Sequence, residues 1–105
     1  MAQFSVYKNT NPNTKNTYPY LLNLQHNILA EINTRVVAPL ISAKQLKNNS
    51  IKTLTPSVEI EGKTYIVLIP QLAGIAQKDL GAVVADLSSI RSEIIAAIDL
   101  LVSGI

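Results

Sequence analysis

Polar and apolar residues recur along this chain with two periods, and the clearer one lies at the C-terminal end. In Ser88–Ile105 (SSIRSEIIAAIDLLVSGI), steps of 100° place Ile90, Ile94, Ala97, Ile98 and Leu101 on one arc. The pattern predicts a helix over Ser88–Leu101, capped by Ser88 or Ser89 and left through Gly104. Ile95 and Val102 widen the apolar arc to about 160°, more than a helix resting on one sheet needs. Opposite that arc, Ser92, Ala96, Asp99 and Ser103 fall on a narrow strip of small and polar residues. Such a strip is either a solvated helix back or a surface that a partner approaches closely. Asp99 sits in the last turn, where the helix dipole disfavours a negative charge by about 0.3–1 kcal/mol.

Upstream, the period shortens to two. Gln3–Tyr7 (QFSVY) alternates as a half-buried strand, and Tyr18–Gln25 (YPYLLNLQ) reads as its partner, with Pro19 at its start. Between them Asn9–Thr17 (NTNPNTKNT) is polar and reads as a solvated loop that buries nothing. Thr34–Leu40 (TRVVAPL) is β-branched and predicts a strand ending near Pro39. Ser42–Lys47 suggests a short helical turn. Ser57–Ile60 and Lys63–Ile69 flank Glu61–Gly62, a two-residue hairpin turn, and KTYIVLI is apolar enough to lie centrally in a sheet. Gln71–Leu87 is ambiguous: GAVVADL is either a short strand or a turn into the helix. Five or more antiparallel strands with one terminal helix make an α+β fold, a small barrel-like sheet.

Composition narrows the class. The chain of 105 residues is read as one domain spanning 1–105, and at 48% hydrophobic residues it can build a proper core. One Phe, four Tyr and no Trp make that core aliphatic. The absence of cysteine excludes disulfides and thiolate metal sites and fits a reducing cytoplasm. No apolar run approaches the ~20 residues of a membrane span. Residues 1–78 carry seven Lys and one Arg against three Glu, a net +5, whereas residues 79–105 carry four acids against Arg91, a net −3. An acidic helical end repels a phosphate backbone and suits a basic protein surface.

Candidate chemistry is sparse. His26 is the single histidine, no serine lies in a G-x-S-x-G context, and Glu59 with Glu61 is too thin a pair for a metal. Arg35 and Arg91 have no evident link to a carboxylate. These absences argue for a protein that is not an enzyme and uses no metal or cofactor. Ile28 and Leu29, adjacent apolar residues in a loop-like segment, together with the terminal Ile105, suggest a binding patch as readily as ordinary loop packing.

Taken in order, QFSVY, YPYLLNLQHNIL, RVVAPL, VADLS and IIAAIDLLVSGI resemble the CcdB toxin family over nearly the whole chain. The resemblance implies an SH3-like barrel of antiparallel strands with a small accessory sheet and a C-terminal helix, assembled as a homodimer. It implies a toxin that binds the A subunit of DNA gyrase and traps the enzyme on cleaved DNA, blocking replication and transcription. It implies a cognate CcdA-like antitoxin as partner, with operator DNA bound only through the toxin–antitoxin complex. Carried over by position, the gyrase-binding residues are Ile28, Leu29, Ser92, Ala96, Asp99, Ser103, Gly104 and Ile105. Ile95, Leu100 and Val102 are expected at or beside the dimer interface. Two departures weaken the match: asparagines on the helix strip become Ser92, Ala96 and Asp99, and a tryptophan becomes Ser103. Two other readings share the fold: an endoribonuclease toxin of the MazF/Kid type, and a non-toxic relative that serves only as corepressor with the antitoxin.

Overall fold

In the computed structural model, which describes residues 3–26, 33–45 and 54–104, the β-branched run from Thr34 forms the longest strand. The strands are β1 (Ser5–Asn9), β2 (Tyr20–Asn23), β3 (Thr34–Ser42), β4 (Ser57–Ile60), β5 (Lys63–Val67), β6 (Ala73–Ala76) and β7 (Leu80–Asp86). The helix α1 (Arg91–Ser103) follows them. Pairing is antiparallel in the order β4-β5-β3-β2-β1-β7, with β6 beside β3.

β3 pairs with β2 over Val37–Leu40 along one edge and divides the other between two strands. Thr34–Val37 pair with β6, and Leu40–Ser42 pair with β5. This change of partner curls the sheet into a half-barrel closed by the helix. Pro39 falls at the changeover. Its carbonyl accepts from Leu68 N–H at 2.9 Å, so its nitrogen also faces away from β2, into the gap between the two partner strands. No ladder donor is needed there, and the strand continues through the proline to Ser42 instead of ending at it.

Val6, Leu22, Ala38, Leu40 and Val67 turn to the face that meets Ile69, Ile94 and Ala97; all eight are 0% exposed. The core is aliphatic, as the composition requires, with Phe4 and Tyr65 at its edges. The other face of the central strands is buried too. Ser5, Tyr7, Leu21, Asn23, Arg35 and Val37 alternate with the core residues, and each is at most 6% exposed. Arg35 Nη1 donates to the Thr34 carbonyl at 2.8 Å.

Several boundaries move from those expected. β1 begins at Ser5 because Phe4 adopts φ 67°, the left-handed region that a bulky side chain rarely enters. Such strain costs about 1–3 kcal/mol. It is offset by the buried ring and by two backbone bonds of 2.8 Å, Phe4 N–H to Asn23 O and Leu87 N–H to Phe4 O. The asparagine-rich segment does bury something. Asn9 is 7% exposed; its Nδ2 donates to Thr14 Oγ1 (3.0 Å) and Tyr18 O (2.8 Å), and its Oδ1 accepts from Asn11 N–H. β2 is shorter than expected, beginning just after Pro19. Ser42 closes a turn over Ala43–Gln45, its carbonyl accepting from Gln45 N–H at 2.9 Å. The Glu61–Gly62 hairpin turn forms as expected, with φ of 54° and 79°. The ambiguous GAVVADL run is strand, in β7.

Gly81 explains how β7 reaches β1. A Cβ there would lie 2.9 Å from Thr10 Cγ2 and 3.1 Å from the Lys8 carbonyl. The threonine methyl can turn aside; the backbone oxygen cannot. Gly81→Val is therefore expected to destabilise by about 1–3 kcal/mol, the usual range for overpacking, measured as a lower denaturant midpoint.

Candidate functional site

α1 sorts its residues as the helical period predicts for its first turns. Ile94 and Ala97 are 0% exposed, while Ile90, Ile95 and Ile98 are half-buried against the core. Burial then fades. Leu101, placed by angle at the centre of the core arc, is 37% exposed, and Val102 is 79% exposed. The helix overruns the body that supports it, leaving an apolar end in solvent. Angle places Ile95 and Val102 on one flank of this helix and the half-buried Leu100 on the other.

Opposite the core, Ser92, Ala96, Asp99 and Ser103 are all exposed and follow one another along a strip of about 16 Å. The structure thus brings together the four helix residues that sequence spacing grouped. Ser103 Oγ donates to the Asp99 carbonyl at 2.6 Å, which turns the hydroxyl back onto the helix. The strip therefore presents the Ser92 hydroxyl, a methyl, a methylene and one carboxylate, and no long side chain.

The helix ends differ from expectation at one terminus and agree at the other. Neither Ser88 nor Ser89 caps α1. Instead a 3-10 turn, Ser88–Ile90, leads into it, held by an Asx turn in which Asp86 Oδ1 accepts from Ser88 N–H at 2.8 Å. At the exit Gly104 takes φ 74° and its N–H donates to Leu100 O at 2.9 Å. Ser103 consequently belongs to the last turn of the helix and does not lie beyond it.

The Ser88 backbone N–H, helped by its hydroxyl, holds the Asp86 carboxyl below the usual aspartate range. A folded value below the unfolded one makes the contribution full above the unfolded pKa, and it is lost as pH falls through the folded pKa. Asp86→Ala should melt below the parent near neutral pH. That gap should close on acidification below about pH 4, followed by melting across a pH series.

Ile28, Leu29 and Ile105 lie outside the described residues. His26, just before that first pair, is exposed. Arg35 and Arg91 are not brought together: Arg35 is buried in β3, whereas Arg91 is exposed at the start of α1. The burial of Arg35 had no place in the sequence reading. Its only signal was period: it shares a strand face with Val37.

The family model described as "CcdB protein" matches residues 3–104. Among solved structures, an endoribonuclease from Mycobacterial species, determined with its cognate antitoxin, superposes with a TM-score of 0.75 at 12% identity, covering 98% of this chain and 95% of that one. The Mycobacterium tuberculosis toxin MazF-mt6 gives a TM-score of 0.74 at 15% identity, covering 94% and 96%. A second Mycobacterial endoribonuclease gives 0.69 at 13%, covering 98% and 91%. At such identities the likeness shows the fold and assigns no residue. It does overturn the expectation that the protein is not an enzyme, because chains of this same fold are named endoribonucleases. That expectation rested on a missing nucleophile–base pair, yet RNA carries its own nucleophile in the 2′-hydroxyl, so the missing pair excludes little.

Proposed function

This chain belongs to the CcdB family, and from that premise we propose that it is the toxin of a toxin–antitoxin pair whose target is the A subunit of DNA gyrase. The exposed strip Ser92–Ala96–Asp99–Ser103 is the observation that carries the reading. A helix back cleared of long side chains lets a partner backbone or a basic side chain come close, with Asp99 as the charge that meets it. Gly104 adds close approach at the helix exit, and the family resemblance assigns gyrase contact also to Ile28, Leu29 and Ile105, which lie outside the described residues. Ser103 offers no aromatic anchor; hot spots are worth about 2 kcal/mol or more, so binding is weaker than for a tryptophan-bearing relative unless Asp99 compensates.

The partners follow from the same reading. The exposed apolar end of α1 serves a two-fold homodimer in which Ile95, Leu100 and Val102 lie at or beside the interface. A cognate antitoxin neutralises the toxin, and operator DNA is bound through their complex. Addition of the protein to gyrase, ATP and circular DNA should accumulate linear, protein-linked DNA after detergent and protease. Unchanged supercoiling at tens of micromolar protein would overturn the gyrase reading.

A second reading, endoribonuclease toxin, is favoured by the TM-scores of 0.75 to an endoribonuclease determined with its cognate antitoxin and 0.74 to a toxin named MazF-mt6. Incubation of the same preparation with RNA in the absence of gyrase separates the two: defined RNA fragments with no gyrase effect would replace the first reading with the second.

A further inference from the structure

Away from α1, the end of the β3–β5 ladder borders an open cleft of about 520 Å³ lined by Ser42, Ala43, Lys44, Gly62, Lys63 and Thr64, all of them exposed or partly exposed. Its volume falls within the range of roughly 300–1,000 Å³ common for small-ligand sites. The floor is fixed by backbone. Ser42 pairs with Tyr65, and Ala43 N–H donates to the Thr64 carbonyl at 3.1 Å. Lys44 N–H donates to Ser42 Oγ at 3.3 Å, which leaves the serine proton free to donate elsewhere. Two lysines, a serine and a threonine therefore border one concavity, and among the described residues no carboxylate-bearing residue lines it. Glu59, across from Thr64, and Glu61, in the hairpin turn, stand near the rim without lining it.

We propose that this cavity binds the phosphate group of a nucleotide, either free or as one unit of a single strand. Lysine ammonium groups bind phosphate as point charges, and the Ser42 and Thr64 hydroxyls supply neutral donors beside them. The cavity is larger than inorganic phosphate needs, which leaves room for a sugar. Among the described residues no aromatic lines it, so they give a base no stacking platform, and recognition is led by phosphate and indifferent to sequence. The proposal does not rest on the gyrase reading, because the cavity shares no residue with the helix strip.

Amide-resolved NMR titration tests it on the intact protein with inorganic phosphate, adenosine monophosphate and a short single-stranded RNA. Shifts should concentrate on Ser42–Lys44 and Gly62–Thr64. With two lysine contacts to a strand, the counterion-release slope predicts about a sevenfold loss of affinity between 50 and 200 mM salt. Lys44→Ala and Lys63→Ala should each weaken strand binding about eightfold at 50 mM salt. Lys63→Arg should retain binding, and Lys15→Ala, outside the cavity, should match the parent. Affinity that rises with RNA length identifies a strand as the source; equal affinity for the mononucleotide identifies a free nucleotide. No shift at these amides with any of the three probes would overturn the proposal. So would binding unchanged in the Lys44→Ala/Lys63→Ala double variant, or the same amides responding only to an acidic peptide.

Discussion

Ile94→Ala is expected to lower stability by about 2–5 kcal/mol, the largest effect of any single truncation in the helix. Ile94 is 0% exposed and packs where α1 closes the half-barrel, so the methyl groups lost leave a cavity that backbone on both sides prevents from collapsing. For a domain of this size each kcal/mol moves the melting temperature by about 4 °C, which puts the fall at roughly 8–20 °C. Leu101→Ala is the internal comparison. By helical angle it sits on the same arc, yet it is 37% exposed, and its truncation should cost about 1 kcal/mol or less. Urea unfolding of both variants measures the contrast. Equal losses would mean that Leu101 too is covered in solution, extending the proposed homodimer contact beyond Ile95, Leu100 and Val102 onto the core arc. A large Leu101 loss that disappears on dilution would locate the cover in a second copy.

That contrast marks where sequence was legible and where it stopped. Period fixes the angle of a side chain about a helix, so Ile94, Ala97 and the strip Ser92–Ala96–Asp99–Ser103 were readable. Period does not say how far the supporting body extends, and Leu101 was misplaced for that reason. The hairpin at Glu61–Gly62 was readable because a two-residue turn needs positive φ and Gly62 supplies it without strain. β3 was cut short at Pro39 because a proline's cost depends on which edge its nitrogen faces, and that is set by β5 and β6, more than 20 residues away in sequence. The Asp86 Asx turn displaced the expected serine caps for a similar reason. An acceptor two residues before the turn competes with one inside it, and spacing alone does not rank them. Asn9 and Arg35 were hidden by their polarity: the strand face that Arg35 shares with Val37 did not outweigh its charge, and Asn9 is held by Asn11, Thr14 and Tyr18 in a segment too polar to suggest burial.

Ala96→Arg should abolish toxicity while leaving the fold intact. Ala96 is exposed at the middle of α1, with a strip residue before it and two after it. Arginine is nearly as good a helix former as alanine and would point into solvent, so the change in stability should stay within about 0.5 kcal/mol. On the gyrase reading, the same side chain fills the narrow space through which the partner reaches the helix and puts a like charge before a basic surface. Both effects act on binding alone, and like-charge juxtaposition costs several kcal/mol in a desolvated contact. Growth of a sensitive host without antitoxin, alongside the melting curve of the purified variant, gives the two readouts. Ser103→Trp is the converse: at the far end of the strip it restores the aromatic anchor and should raise gyrase affinity at unchanged melting temperature. If Ala96→Arg kills as strongly as the parent, the strip is a solvated helix back and the toxic surface lies elsewhere on the molecule. If it loses toxicity together with its melting transition, the loss belongs to the fold; Ala96→Gln, uncharged and equally helical, then shows whether bulk on the strip alone blocks the target.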